Sequence, residues 1–244
     1  MICAMKSAGV IAKSILNLVY PLRCALCGKD LDPLGRSGVC AACLHTVRRN
    51  PGPHCRKCGR SVQDGPGLCA ECRTHHFHFE MARSACLYEG ALKELIRLFK
   101  YKGRISLGRT LSSFLIDLAC EDKDLLGGID TVTYVPVQEA LLRKREFNHS
   151  KVLAARLGDE SGIPLADMLQ KTRSTKRQNE LSRAGRLTNL RGAFRAARRS
   201  AVSGKNILIV DDVMTTGATL DECAKTLLDA GAGKVRCLTL ARGL

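Results

Sequence analysis

Short apolar runs alternate with longer amphipathic segments through the last two thirds of the chain, and that alternation sets the expected fold. "MARSACLY" (81–88) reads as a strand. "ALKELIRLFKYKG" (91–103) places its apolar residues three and four apart, as an amphipathic helix does. "ISLGRTLSSFLIDLAC" (105–120) repeats that spacing, with Leu107, Leu111, Phe114, Leu115 and Leu118 on one face. "DTVTYVPV" (130–137) follows as a buried strand, with a helix after His149. Near the end come the strand "NILIVDD" (206–212), a helix from about Thr216 to Ala230 closed by "AGAG", and the strand "KVRCLTLA" (234–241). Strand, helix and strand in that order predict a right-handed crossover in a parallel sheet.

Three segments depart from this rhythm. Residues 171–191, "KTRSTKRQNELSRAGRLTNLR", are polar, basic and aperiodic, and are expected to form a long loop or extended excursion. Residues 24–72 are rich in Gly and Pro and poor in apolar runs, as befits a metal-stapled module too small for a core of its own. "MICAMKSAGVIAKSILNLVYP" (1–21) carries Lys13 in its middle and reads as a short amphipathic helix, not a signal peptide. No apolar run approaches the ~18 residues that cross a bilayer. The expected organisation is a helix over 1–21, a cysteine module over 22–75 and an α/β domain over 81–244.

Composition sharpens this picture. A length of 244 residues with 45% apolar content suits a folded globular chain and excludes disorder throughout. A formal net charge of +16 implies attraction to phosphate-rich partners, either nucleic acid or a small polyphosphate. Aromatic residues make up only 4%, which disfavours a base-stacking platform. Of 13 cysteines, eight stand in Cys-x-x-Cys pairs, so a reducing cytoplasm and a metal fit better than disulfides.

The pairs are Cys24 and Cys27, Cys40 and Cys43, Cys55 and Cys58, and Cys69 and Cys72. Each supplies two thiolates from a tight turn, and two such turns complete a tetrahedral zinc site with Zn–S distances of about 2.3 Å. Eight thiolates suit two structural zinc ions. Sequential grouping, first pair with second and third with fourth, is preferred; an interleaved cross-brace would use the same residues, and a redox dithiol is the alternative to metal. Gly28 and Gly59 follow the second cysteine of their pairs, where a turn often needs positive φ. His45, His54, His75, His76 and His78 are expected at the surface or in packing. The single cysteines Cys3, Cys86, Cys120, Cys223 and Cys237 are expected to be small buried residues.

The chemistry concentrates in "ILIVDDVMTTGAT" (207–219). In an open parallel sheet ligands gather at the carboxyl ends of strands, where Asp211 and Asp212 emerge. The amides of Thr216, Gly217, Ala218 and Thr219 and the hydroxyls of Thr215, Thr216 and Thr219, at a helix start, suit a phosphate. Carboxylates repel phosphate, so the acidic pair suits the vicinal hydroxyls of a ribose whose 5′-phosphate the turn holds. The competing role is an Asp pair that caps the helix. "GRISLGRT" (103–110) imitates a nucleotide-binding P-loop, but Arg109 replaces the required lysine and a helix precedes it, so it reads as a turn between helices.

"ILIVDDVMTTGAT" closely resembles the phosphoribosyl pyrophosphate signature of type I phosphoribosyltransferases. With "YPLRCALCG", "LIRLFKYKGR", "VPV" and the run from Lys171 to Phe194, nearly the whole chain resembles the competence protein F family, a double zinc ribbon followed by such a transferase domain. The resemblance implies an α/β fold, a parallel sheet flanked by helices, with phosphoribosyl pyrophosphate and Mg²⁺ as ligands. It implies a pyrophosphate loop at Pro136 and Val137 with Arg143, Lys144 and Arg145 nearby, and a mobile loop containing Lys176, Gln178 and Arg186. The implied activity is a phosphoribosyltransferase, of the glycosyltransferase class, with an unidentified acceptor and a link to natural competence and DNA uptake. The alternative is a non-catalytic competence factor that binds single-stranded DNA and uses the fold for ligand sensing or backbone contact. The chain departs from the family at Glu146, where Arg-Gly-Phe-Asn-Gln is usual and Arg145, Glu146, Phe147, Asn148 and His149 stand. That departure places a side chain and a negative charge beside the pyrophosphate loop.

Overall fold

A computed structural model describes residues 22–32, 37–63, 65, 67–101, 103–173 and 190–243. The helix expected over 1–21 and the loop residues Lys176, Gln178 and Arg186 lie outside them. Two one-turn helices, α1 (Ala41–His45) and α2 (Ala70–Thr74), belong to the cysteine module. Then follow β1 (Met81–Leu87), α3 (Gly90–Tyr101), α4 (Leu107–Glu121), β2 (Thr131–Tyr134), α5 (Glu139–Arg145) and α6 (His149–Ser161). After these come β3 (Leu169–Lys171), β4 (Phe194–Ala196), β5 (Ile207–Met214), α7 (Ala218–Asp229) and β6 (Val235–Arg242).

Four strands form a parallel sheet in the order β1-β6-β5-β2. Such a sheet is covered on both faces, which is why "ILIV" is apolar without alternation. On one side Leu208 and Val210 meet α3, α4 and α6 through Leu95, Phe99, Leu111 and Leu153. On the other, Ile207 and Ile209 meet α7 through Cys223, Ala224 and Leu227. The helix face expected from Leu107 to Leu115 is buried, with Leu118 half-buried.

Two boundaries differ from the expectation. β5 runs on to Met214, because Val213 and Met214 still pair with Ala241 and Arg242 of β6. α7 begins at Ala218, because Gly217 sits before it in the left-handed region at φ 81°. "GRISLGRT" is a turn leading into α4, and a Cβ on its Gly108 would lie 2.7 Å from Val152, so that glycine serves the α4–α6 contact. β3 and β4, which flank residues 174–189 in the sequence, pair antiparallel.

The cysteine module shares the sheet's cores. Cys55, Cys58, Cys69 and Cys72 are buried with Phe77, Phe79, Met214 and Ala218, while Cys24 joins the opposite core. Gly59 lies against β1 so closely that a Cβ would be 2.5 Å from the Ala82 carbonyl. Among the single cysteines, Cys86, Cys223 and Cys237 are buried as expected; Cys120 is a correction, exposed on the outer face of the last turn of α4. Cys3 lies outside the described residues. Among the described residues no helix is long and apolar enough to cross a membrane.

Candidate functional site

Two four-cysteine clusters form, Cys24, Cys27, Cys40 and Cys43 in one and Cys55, Cys58, Cys69 and Cys72 in the other, each with its sulfurs within 4.8 Å of one another. The grouping is therefore sequential, and the cross-brace is not formed. The Cys27–Cys40 and Cys58–Cys69 sulfurs lie 3.7 Å apart, far beyond a disulfide bond and close to the S···S edge of a tetrahedron with ~2.3 Å metal–sulfur bonds.

The two clusters are built alike. In each, the first sulfur accepts an N–H from the first cysteine of the partner pair, Cys40 to Cys24 and Cys69 to Cys55, both at 3.3 Å. Gly28 and Gly59 take the expected positive φ, at 72° and 68°. Burial pushes the Cys24 and Cys55 thiols up, but neighbouring amides outweigh it and bring them down to about 6 and about 7. Four sulfurs gathered this closely fit zinc, and a closed four-sulfur set leaves no open position for catalysis. None of the histidines is in either cluster. His78 instead reaches α7, its backbone N–H and its Nδ1 lying 2.5 and 3.0 Å from Asp221 Oδ1. Phe77 packs under Gly217, where a Cβ would lie 3.1 Å from its ring.

The second site lies at the carboxyl end of β5. Asp211, Thr215, Thr216, Gly217, Ala218 and Thr219 line one pocket, so the sequence-predicted acid and the whole turn come together. The first amides of a helix lack intrahelical partners, and a glycine at φ 81° turns them toward a common point. β2 ends alongside, the Val135 N–H bonding to the Val210 carbonyl at 3.1 Å, so that Pro136 and Val137 emerge beside the acid pair. Arg143 lies on the exposed face of α5 with its guanidinium 3.0 Å from Glu139. Glu146 ends α5 at φ 67°, the one non-glycine residue with positive φ among the described residues. Phe147 and Asn148 then lead into α6, Asn148 capping it through Lys151 N at 3.2 Å and donating to the Val135 carbonyl at 3.1 Å.

The two acids are not equivalent. Asp212 is buried, and both its oxygens contact Lys100 Nζ, at 2.8 and 2.7 Å. Asp211 is half-buried and accepts the Ser150 hydroxyl at 2.8 Å and the Asp212 N–H at 2.9 Å. Burial and the Asp212 carboxylate push Asp211 up to about 7, against the pull of Ser150 and Lys100. Burial would lower Lys100, yet Asp212 holds it above the ordinary lysine range. Lys171, at the end of β3, is held below that range by burial, with the Cys223 thiol and Asp211 acting the other way.

Lys100 and Ser150 carry no role in the reading from sequence alone. A signal for Lys100 was present: it follows Ile96 by four positions, which places a charge at the edge of the buried face of α3. Ser150 offered none, being an ordinary first-turn serine.

A model of the double zinc ribbon domain matches residues 15–88, and one of the phosphoribosyl transferase domain matches residues 148–244. The DNA utilization protein YhgH of Escherichia coli is 30% identical over 230 residues, 93% of this chain and all of that protein. Competence protein F of Haemophilus influenzae is 27% identical over 228 residues, covering 91% of this chain and 98% of the relative. Competence protein ComFC of Bacillus subtilis is 27% identical over 212 residues, 84% of each chain.

Proposed function

The chain belongs to the competence protein F family, a double zinc ribbon followed by a type I phosphoribosyltransferase fold, and we propose that its pocket binds phosphoribosyl pyrophosphate with Mg²⁺. One observation carries this reading: Asp211 and the Thr215–Thr219 turn line the same pocket. In it Asp211 and Asp212 receive the ribose hydroxyls, and Thr215, Thr216, Gly217, Ala218 and Thr219 hold the 5′-phosphate. The pyrophosphate lies toward Pro136, Val137 and the basic end of α5. Magnesium is held by ligand oxygens and water, as its reluctance to dehydrate favours. Transfer of the phosphoribosyl group to an acceptor requires the chain to orient the ligand, offset the leaving group's charge and exclude water; no side chain is assigned as a general base.

Calorimetric titration with phosphoribosyl pyrophosphate and Mg²⁺ tests the reading. The parent chain should bind and Asp211→Asn with Asp212→Asn should not. A parent that does not bind, or a double variant that binds equally well, defeats it.

A second reading is supported by the relatives' names, competence and DNA utilization, and by the +16 charge. In it the chain contacts the backbone of single-stranded DNA through basic residues that include Lys171, Arg173 and Arg191. Affinity for an unlabelled-sequence oligonucleotide should then fall steeply as salt rises, and absence of binding at low salt removes this reading.

A further inference from the structure

An anion site built beside two carboxylates has to deal with their repulsion, and the structure contains a device for doing so. Lys100 stands on the last turn of α3, four-fifths of its side chain buried, with its ammonium on both oxygens of Asp212. It is held there firmly. The carbonyl of the preceding residue, Phe99, accepts from His149 Nε2 at 3.0 Å. The Phe99 ring packs against His149 and Phe147, with centroids 4.9 and 5.6 Å away. The Phe147–His149 segment that leads out of the proposed pyrophosphate loop therefore also fixes the end of α3. The two Asp212 contacts use two of the three N–H donors an ammonium carries.

We propose that Lys100 binds ligand beside the pocket that Asp211 and the Thr215–Thr219 turn line: it orients Asp212 toward one ribose hydroxyl and gives its remaining N–H to an anionic oxygen of the bound sugar diphosphate. The Lys100–Asp212 pair is close to neutral, so an incoming polyphosphate meets far less negative charge than two adjacent aspartates suggest. This inference rests on the sugar-phosphate reading and adds to it a contact from a helix that precedes the transferase-domain match at 148–244.

The test is a double-mutant cycle on the full chain, titrated with phosphoribosyl pyrophosphate and Mg²⁺. Lys100→Met should weaken binding at least about tenfold, the loss expected for a hydrogen bond to a charged group. Because that variant leaves a lone buried carboxylate, Asp212→Asn and Asp212→Asn with Lys100→Met are compared as well; the pair of neutral side chains folds without an unpaired charge. The double variant should bind more weakly than Asp212→Asn alone, since the direct ligand contact is lost too. Equal binding by those two, with the parent binding well, overturns the role of Lys100 and leaves the sugar-phosphate reading in place. No binding by the parent overturns both.

Discussion

Asp211→Asn should make the ligand-free protein more stable while it damages the pocket. Asp211 has its carboxyl raised from 3.8 to about 7, so ionising it in the folded chain is costly. The sign follows from linkage: a carboxyl raised on folding costs nothing below about pH 4, where both states are protonated, and the cost is complete above about pH 7. At ~1.4 kcal/mol per unit of pKa, the full cost is roughly 3 kcal/mol at pH 6 and about 4 kcal/mol at pH 8. Solvent reaching this half-buried group reduces these to about 2 and about 3 kcal/mol. Asparagine removes the cost and keeps an oxygen able to accept from Ser150 and from the Asp212 amide. Denaturant unfolding of parent and variant between pH 6 and pH 8.5 measures the effect; lower pH would protonate the thiolates and confound it with metal loss. The variant should be the more stable, with a margin that grows by about 1 kcal/mol from pH 6 to pH 8. A variant that is no more stable at pH 8, or a margin independent of pH, would refute the account of Asp211.

Two further outcomes follow from backbone and metal. Glu146 holds a left-handed conformation that costs an L-residue about 1 kcal/mol, and Glu146→Gly should raise the unfolding midpoint, offset in part by the greater freedom of glycine in the unfolded chain; a lowered midpoint would show that the Glu146 side chain contributes something glycine cannot. Metal analysis should find two zinc ions per chain, and a chelator should strip the first cluster, where Cys27 is exposed, before the second, where all four cysteines are buried. Cys58→Ser should then destabilise the sheet more than Cys27→Ser does, because Cys58 is buried with its sulfur 3.8 Å from the buried Arg242 guanidinium of β6, whereas Cys27 is exposed. Release of both ions in one phase, or equal midpoints for the two variants, would contradict this.

Local features were legible from the chain alone because each is governed by contacts close in sequence. The apolar run of β5 and the Cys-x-x-Cys turns with their positive-φ glycines are set by residues a few positions apart, and the motif joining acids to turn is a single contiguous stretch. The apolar spacing of α3 and α4 revealed their buried faces for the same reason. Tertiary structure decided what depends on which residues meet across the fold. Which cysteine pairs share a metal is settled only when the turns pack, since every pair has the same local shape. The asymmetry of Asp211 and Asp212 is another such case: neighbours in sequence, they differ because strand geometry sends one onto Lys100, 112 residues earlier, and the other onto Ser150, 61 residues earlier. A carboxylate's charge state is set by burial and by partners within a few ångströms, and a sequence lists its partners without saying which of them arrive.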